Sequence, residues 1–372
     1  MDEIKFLDLS HVHQKLESEI AVGIRHILRS GRFLNGPSVA LFETKFAEFC
    51  GVPNCVGVGS GLDALLLILK ALDIGEGDEV IVPVHTFIAT WLAVSHSGAS
   101  VIPADVCDDS LLIDPAKIEE KLTKNTKAII AVHLYGQSCD MNLLVDIADR
   151  YGVALIEDAA QAHGASLAGK PVGGLGTAAA FSFYPGKNLG GIGNGGCVTT
   201  PDMHLAKRIK LLSEYGSRQK YKHEEHGINS RLDEIQAHVL LVKLRYLKDW
   251  NELRVRQAAI YLSELSGFVK LPCVLPFRHH VWHLFVIRVK KTEKHNRDGL
   301  RRFLADRGIE TQIHYPVSCG WQPAYGQIDK NSVEIVHGQL IADQVLSLPI
   351  GPHLEIVDIH QICTIVKLYF AD

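Results

Sequence analysis

From residue 55 onward the chain alternates short, uninterrupted apolar runs with longer segments in which apolar residues recur at helical spacing. Residues 55–58, 79–83, 101–104, 128–132 and 153–156 read as strands, and 62–72, 87–95 and 141–151 read as helices between them. Strands that are apolar at every position are buried on both faces, which marks a mainly parallel sheet covered by helices. Strand–helix repetition of this kind predicts a doubly wound α/β domain. The rhythm changes after Lys187. A short strand (196–200), a helix (205–214) and a long helical stretch from about 232 to 265 follow; that stretch is too long for an ordinary domain helix and leads into a second domain. Beyond it, 283–287 and 311–315 read as strands, and 299–306 and 357–369 as helices. The expected division is a large domain over 1–250 and a smaller α+β domain over 251–372.

Composition narrows the function classes. The 372 residues suffice for two domains and a sizeable core. A net charge of −4 carries no basic footprint, so a nucleic-acid partner is not expected. The 8 cysteines form no CxxC pair and no zinc-spaced cluster, so no metal site is expected. Scattered thiols of this kind fit reduced, buried cysteines in a cytoplasmic protein. The first residues lack the pattern of a signal peptide, and no apolar run is long enough for a membrane.

Three places carry candidate chemistry. Gly59-Ser60-Gly61 follows the first strand and opens a helix, where backbone amides and the helix terminus favour an anion such as phosphate; a glycine there also serves as a plain turn. Asp158 ends a buried strand, where a carboxylate either caps the next turn or pairs with a buried cation. Gln161 and His163 follow it, the first a solvated amide or a donor, the second a core histidine or a group that orients Asp158. Lys187 lies just past another apolar strand that ends at Ser182, in a loop containing Gly186, Gly190, Gly191, Gly193, Gly195 and Gly196. So many small residues indicate close backbone approach and not a random surface loop. A lysine in such a place, with an aspartate at a neighbouring strand end, suits a pyridoxal phosphate (PLP) enzyme. The amine binds the cofactor aldehyde and the carboxylate keeps the pyridine nitrogen protonated.

The chain resembles the DegT/DnrJ/EryC1/StrS family of PLP-dependent nucleotide-sugar aminotransferases, of the fold type I (aspartate aminotransferase-like) architecture. The matching blocks are SGRFLNGPSVALFE (30–43), GSGLDAL (59–65), GDEVIVPVHTFIATWLAV (77–94), LIEDAAQAHGA (155–165), FSFYPGKNLGGIGNGG (181–196), GINSRLDEIQAH (227–238), IHYP (313–316) and SLPIGP (347–352). The resemblance implies a Schiff-base and proton-shuttling role for Lys187, with Asp158 on the pyridine nitrogen and Gln161 on the phenolic oxygen. Ser60, Gly61 and Ser182 are implied for the phosphate and Phe87 for the ring face. Asn229 is implied to reach the phosphate of the partner subunit, hence a homodimer with shared sites. Asn194 departs from the family, where an aspartate is common, which puts one loop contact in question.

The same resemblance implies transfer of an amino group from L-glutamate to a nucleotide-linked keto sugar. The blocks at 59–65 and 85–94 look most like enzymes acting at C3 of a dTDP-linked 3-keto-6-deoxyhexose. His314 and Tyr315 are candidates for the sugar pocket, each with strand packing as the alternative. Arg32, Lys220, Lys222 and Arg231 are candidates for the diphosphate, each with a solvated surface charge as the alternative. Three rivals remain: a C4 aminotransferase, a sugar dehydratase (disfavoured because relatives of that kind replace the lysine) and a non-catalytic PLP-binding regulator.

Overall fold

The computed structural model describes residues 3–371. Eleven helices and nine strands carry the architecture described here. In chain order these are α1 (Leu9–Ser30), α2 (Pro37–Cys50), β1 (Asn54–Val58), α3 (Gly61–Ala71), β2 (Glu79–Pro83), α4 (Ile88–Ser97), β3 (Ser100–Ala104), β4 (Thr126–Val132), α5 (Met141–Tyr151), β5 (Ala154–Asp158), β6 (Ala178–Ser182), β7 (Gly196–Thr200), α6 (Met203–Ser213), α7 (Glu234–Leu244), α8 (Leu247–Glu264), β8 (Phe285–Arg288), α9 (Arg297–Ala305), α10 (Val333–Ala342), β9 (Val345–Leu348) and α11 (Ile356–Ala371). Helix ends follow local chemistry. Ser60 caps α3 by accepting the Asp63 N–H at 3.1 Å, Asp140 caps α5, and Gly51 and Gly152 close α2 and α5 in the left-handed conformation.

Seven strands form one sheet in the order β1–β7–β6–β5–β4–β2–β3. The run β6–β5–β4–β2–β3 is parallel, while β7 pairs antiparallel with both β6 and β1. Ile129, Ile130, Ile156, Val80 and Ile81 are wholly buried, as expected for a sheet covered on both faces. The carboxyl ends of β1, β2, β5 and β6 open on the same side, together with the start of β7. In open α/β sheets that is where ligands bind. A second apolar cluster joins α8, α9, α11 and the antiparallel β8–β9 pair around Tyr261, Phe285 and Ile362. Ile4 belongs to it: its N–H donates to Gly308 O at 2.8 Å and its carbonyl accepts from Glu310 N–H at 3.0 Å.

Two expectations are corrected. The long helix over 232–265 is two helices, parted where Tyr246 N–H donates to Lys243 O in a tight turn. No glycine or proline marks the break. Leu240 of α7 packs under the lysine loop, and Tyr261 of α8 enters the second cluster. The apolar period therefore continues through the turn. The strand expected over 311–315 is only a single pairing of Gln312 with Ser347, followed by a cis peptide between His314 and Tyr315. The helices α1 and α2 precede the periodic region and were not assigned from the sequence.

All eight cysteines are free. Among the described residues no helix is long and apolar enough to cross a membrane, and no His/Cys/Asp/Glu group is arranged to hold a metal ion.

Candidate active site

The carboxyl ends of the strands open into a cavity of about 530 Å³ whose wall includes Ser60, Gly61, Asp158, Gln161, Ser182 and Lys187. Phe87, His314 and Tyr315 close it from the side of α4 and the later chain.

Lys187 is presented by a loop folded back on itself. Its own N–H donates to Tyr184 O at 2.9 Å, Gly191 N–H donates to Phe183 O at 2.8 Å, and Phe183 N–H donates to Gly195 O at 2.7 Å. A Cβ at Gly190 would stand 2.3 Å from Pro185 O, so only glycine closes this loop. The amine of Lys243 on α7 reaches beneath the loop to the Gly190 carbonyl. Burial pushes the Lys187 amine down to about 8, while Asp158 acts through space in the opposite direction.

Asp158 ends β5 and is buried. Its Oδ2 accepts from the Thr90 hydroxyl at 2.8 Å and its Oδ1 from Ala160 N–H at 3.2 Å. Because Thr90 donates to Asp158, it accepts from Thr86, 2.9 Å away. Burial raises the Asp158 carboxyl above the usual range, opposed by these donors and by Lys187. A cation in the cavity would hold this carboxylate ionised.

Gln161 is oriented by its surroundings. Tyr135 N–H donates to its Oε1 at 2.7 Å, which fixes Nε2 as the donor end; Nε2 reaches the Tyr315 hydroxyl at 2.9 Å. One N–H of Gln161 is thus left to the cavity. Tyr135 also donates to the His314 carbonyl and is contacted by His85 Nε2 at 2.7 Å. The Tyr315 ring lies 5.3 Å from that of Phe87.

Ser60, Gly61 and Ser182 form a cradle for an anion. The first N–H groups of α3 have no partner within the helix, and they point where its dipole is positive. A Cβ at Gly61 would fall 2.8 Å from Ser182 Cβ, and one at Gly196 2.5 Å from the Ser60 backbone. The glycines therefore draw β1, β6 and β7 together under the helix terminus. A phosphate fits this terminus, an aromatic ring fits beside Phe87, and a ring nitrogen fits against Asp158. The residues present thus fit pyridoxal phosphate.

Other expected residues lie elsewhere. His163 is fully buried among Phe46, Phe181 and Phe183 and takes no part in the cavity wall, which is the core reading. Asn229, Lys220 and Arg231 do not line the cavity of their own chain. Asn229 is exposed and accepts from Arg231 at 2.9 Å, the Arg231 guanidinium lies over Tyr215 and the Lys220 amine over Tyr221. Thr90, Tyr135, Tyr184 and His283 were not singled out from the sequence. Thr90 and Tyr135 act through Asp158 and Gln161, while Tyr184 and His283 line the cavity. Thr90 stands four residues after Thr86 in a helix-opening block, the one signal that would have found it.

Residues 14–367 match the DegT/DnrJ/EryC1/StrS aminotransferase family. The chain belongs to that family. Its relatives include the dTDP-3-amino-3,4,6-trideoxy-alpha-D-glucose transaminase of Streptomyces venezuelae, 49% identical over 95% of this chain and 92% of that one. The dTDP-3-amino-3,6-dideoxy-alpha-D-galactopyranose transaminase of Aneurinibacillus thermoaerophilus is 47% identical over 98% and 99%. A Saccharopolyspora erythraea relative, 51% identical over 95% of both chains, is named as the erythromycin biosynthesis sensory transduction protein EryC1. The crystal structure of S. venezuelae DesV in complex with a ketimine intermediate superposes with a TM-score of 0.96 at 47% identity over the whole of both chains. The Bacillus subtilis ntda structure, with bound cofactor PMP, gives 0.92 at 31% identity, over 100% of this chain and 86% of that one. The protein is a family aminotransferase of fold type I, and the family is one of PLP-dependent enzymes.

Proposed function

We propose that this protein transfers an amino group from L-glutamate to C3 of a dTDP-linked 3-keto-6-deoxyhexose. The carrying observation is one cavity that receives both the Lys187 amine and the Asp158 carboxyl, beside a helix-terminus cradle for phosphate. The names of the relatives that act on dTDP-3-amino sugars support the carbon and the nucleotide. When bound, pyridoxal phosphate supplies an aldehyde for the travelling amine and a ring that takes up an electron pair. The phosphate is assigned to Ser60, Gly61 and Ser182, the ring face to Phe87, the phenolic oxygen to the free N–H of Gln161 and the ring nitrogen to Asp158.

Lys187 does the acid and base work. Lowered to about 8 by burial, its amine gains and loses a proton far closer to neutral pH than an exposed lysine, which lets it serve as both acid and base. Its Nζ would take the proton from the donor's Cα and return it on the other side of the transferred nitrogen, a 1,3 shift, and the reverse sequence would serve the keto sugar. His314 and Tyr315 are assigned to the sugar, and the buried Tyr315 hydroxyl remains a neutral donor. Asn229, Lys220 and Arg231 are assigned to a partner subunit's site in a homodimer. Eight free thiols suit the reducing cytoplasm, where the proposal places the protein.

The test is incubation with glutamate and, separately, with 3-keto and 4-keto dTDP-6-deoxyhexoses, with products read by mass and NMR. A 3-amino product is expected. Amination of the 4-keto sugar alone overturns the assignment of the carbon. Borohydride reduction is expected to fix the cofactor on the peptide carrying Lys187, and a label on any other lysine overturns the site.

The name of the EryC1 relative motivates a second reading, a regulator that binds the cofactor without turnover. Such a protein would show no glutamate-dependent loss of the aldehyde absorbance.

A further inference from the structure

His283 stands two residues before β8 and forms part of the cavity wall. Its ring is fixed by a chain of amides whose polarity is set by two main-chain carbonyls. Asn251 on α8 faces the His163 carbonyl at 2.8 Å, so its Nδ2 must be the donor there. Its Oδ1 then accepts from Asn188 Nδ2 at 2.9 Å, and that same Nδ2 donates to Val281 O at 3.0 Å. With both N–H groups committed, Asn188 offers Oδ1 to His283 Nδ1, 3.0 Å away. Nδ1 therefore carries the ring proton, and Nε2 keeps a lone pair. The Nδ1 edge being taken, the Nε2 edge is the polar edge left to the cavity that His283 shares with Lys187.

The Lys187 amine has no hydrogen-bond partner among the described residues, and we propose that His283 is a positioning residue for it: His283 Nε2 is the acceptor toward which the lysine side chain turns when its amine is free of cofactor. Asn188 directly follows Lys187, so the same short stretch of loop carries the amine and the amide that sets the acceptor. Asp158 from β5 acts on the Lys187 amine, and the Lys187 charge in turn lowers His163 from the loop after β5 and His283 and His314 from the later chain. Burial, with the Lys187 charge next, keeps His283 neutral, as an acceptor requires. The inference rests on the reading of Lys187 given above for its purpose, but the hydrogen bond can be tested without cofactor.

In cofactor-free protein, the pH dependence of Lys187 acetylation by acetic anhydride is read by peptide mass. His283→Asn keeps an amide toward Asn188 and lacks an acceptor at the Nε2 position, whereas His283→Gln returns a carbonyl near that position. An accepted bond favours the charged amine, so the midpoint in His283→Asn is expected to fall by about half a pH unit, a threefold change in proton affinity. His283→Gln is expected to recover it. An unchanged midpoint in His283→Asn, or an equal fall in both variants, overturns the proposal. In the loaded enzyme, His283→Asn is expected to slow the glutamate half-reaction about tenfold with KM unchanged, again recovered by Gln. A normal half-reaction overturns the positioning role. Nitrogen NMR of the wild type needs no variant: a protonated Nδ1, with a Nε2 signal that moves in Lys187→Ala, is expected, and a protonated Nε2 overturns the proposal. A wild type that never reacts with glutamate fails the proposed function and leaves the acetylation and NMR results standing.

Discussion

Thr90 carries no charge, yet it governs how easily Asp158 keeps its own. The carboxyl is buried, which raises its proton affinity, and the Thr90 hydroxyl and Ala160 N–H pull the other way. A hydrogen bond to a charged group contributes about 1.5–3 kcal/mol. Thr90→Val, of the same shape, is therefore expected to lower kcat roughly 10–100-fold while cofactor stays bound, measured by steady-state kinetics alongside the absorbance of the bound cofactor. Asp158→Asn is expected to cost more, on the order of 10²–10⁴ in kcat, because it removes the charge itself. A Thr90→Val enzyme with wild-type kcat would place the control of Asp158 elsewhere. At this scale the sequence was informative where the residue type is itself unusual, as for a lysine among glycines or an aspartate ending an apolar run. Thr90, Tyr135 and His283 are ordinary residues in ordinary positions. Their parts depend on which strand ends and loops become neighbours, and one chain read alone does not contain that.

The cradle under α3 depends on how closely strands approach. Gly196 opens β7 opposite Ser182 of β6 and Val58 of β1, and a Cβ there would meet the Ser60 backbone at 2.5 Å. Gly196→Ala must push β7 from the helix terminus. Overpacking of this kind costs roughly 1–3 kcal/mol. A lower thermal midpoint and weaker cofactor binding are expected together, read by calorimetry and by titration with pyridoxal phosphate. A fall in stability with unchanged cofactor affinity would detach Gly196 from the cradle. The strands on either side were legible because burial on both faces leaves no polar position to confuse the period. The helix over 141–151 was legible to the residue, since Asp140 and Gly152 bracket it. The break between α7 and α8 and the lone pairing at Gln312 were not legible. The helix break carries no glycine or proline, and Pro316 follows the expected strand without marking that pairing stops at Gln312.

Across the whole molecule, a charged cluster ties the loop after β3 to β8 and α10. Asp108 meets Arg288 and Lys270, and His337 sits 2.6 Å from Asp105 and 3.5 Å from Asp108. The Asp105 hydrogen bond raises His337 above its usual 6.5, so the folded state holds a proton that the unfolded chain releases first. That stabilisation is complete below about 6.5 and is lost as pH rises through the folded value. The thermal midpoint is expected to decline over that window, and His337→Gln to flatten the decline. The proposed division near residue 250 falls inside α8, which runs along the second apolar cluster. Association is the remaining question at this scale. Val22 and Leu28 on α1, Phe33, Leu34 and Leu41 are large apolar residues left exposed, and Asn229, Lys220 and Arg231 do not line the Lys187 cavity of their own chain. The proposed two-fold homodimer, in which each chain lends Asn229 to the other, would account for both. Mixing Lys187→Ala chains with Asn229→Asp chains tests it. In each mixed dimer one site joins an intact Lys187 to an intact Asn229, and the other site carries both defects. With free exchange, half the dimers are mixed, so about a quarter of wild-type activity is expected from two nearly inactive parents. If each site were built from one chain, no mixture would exceed the mean of its parents.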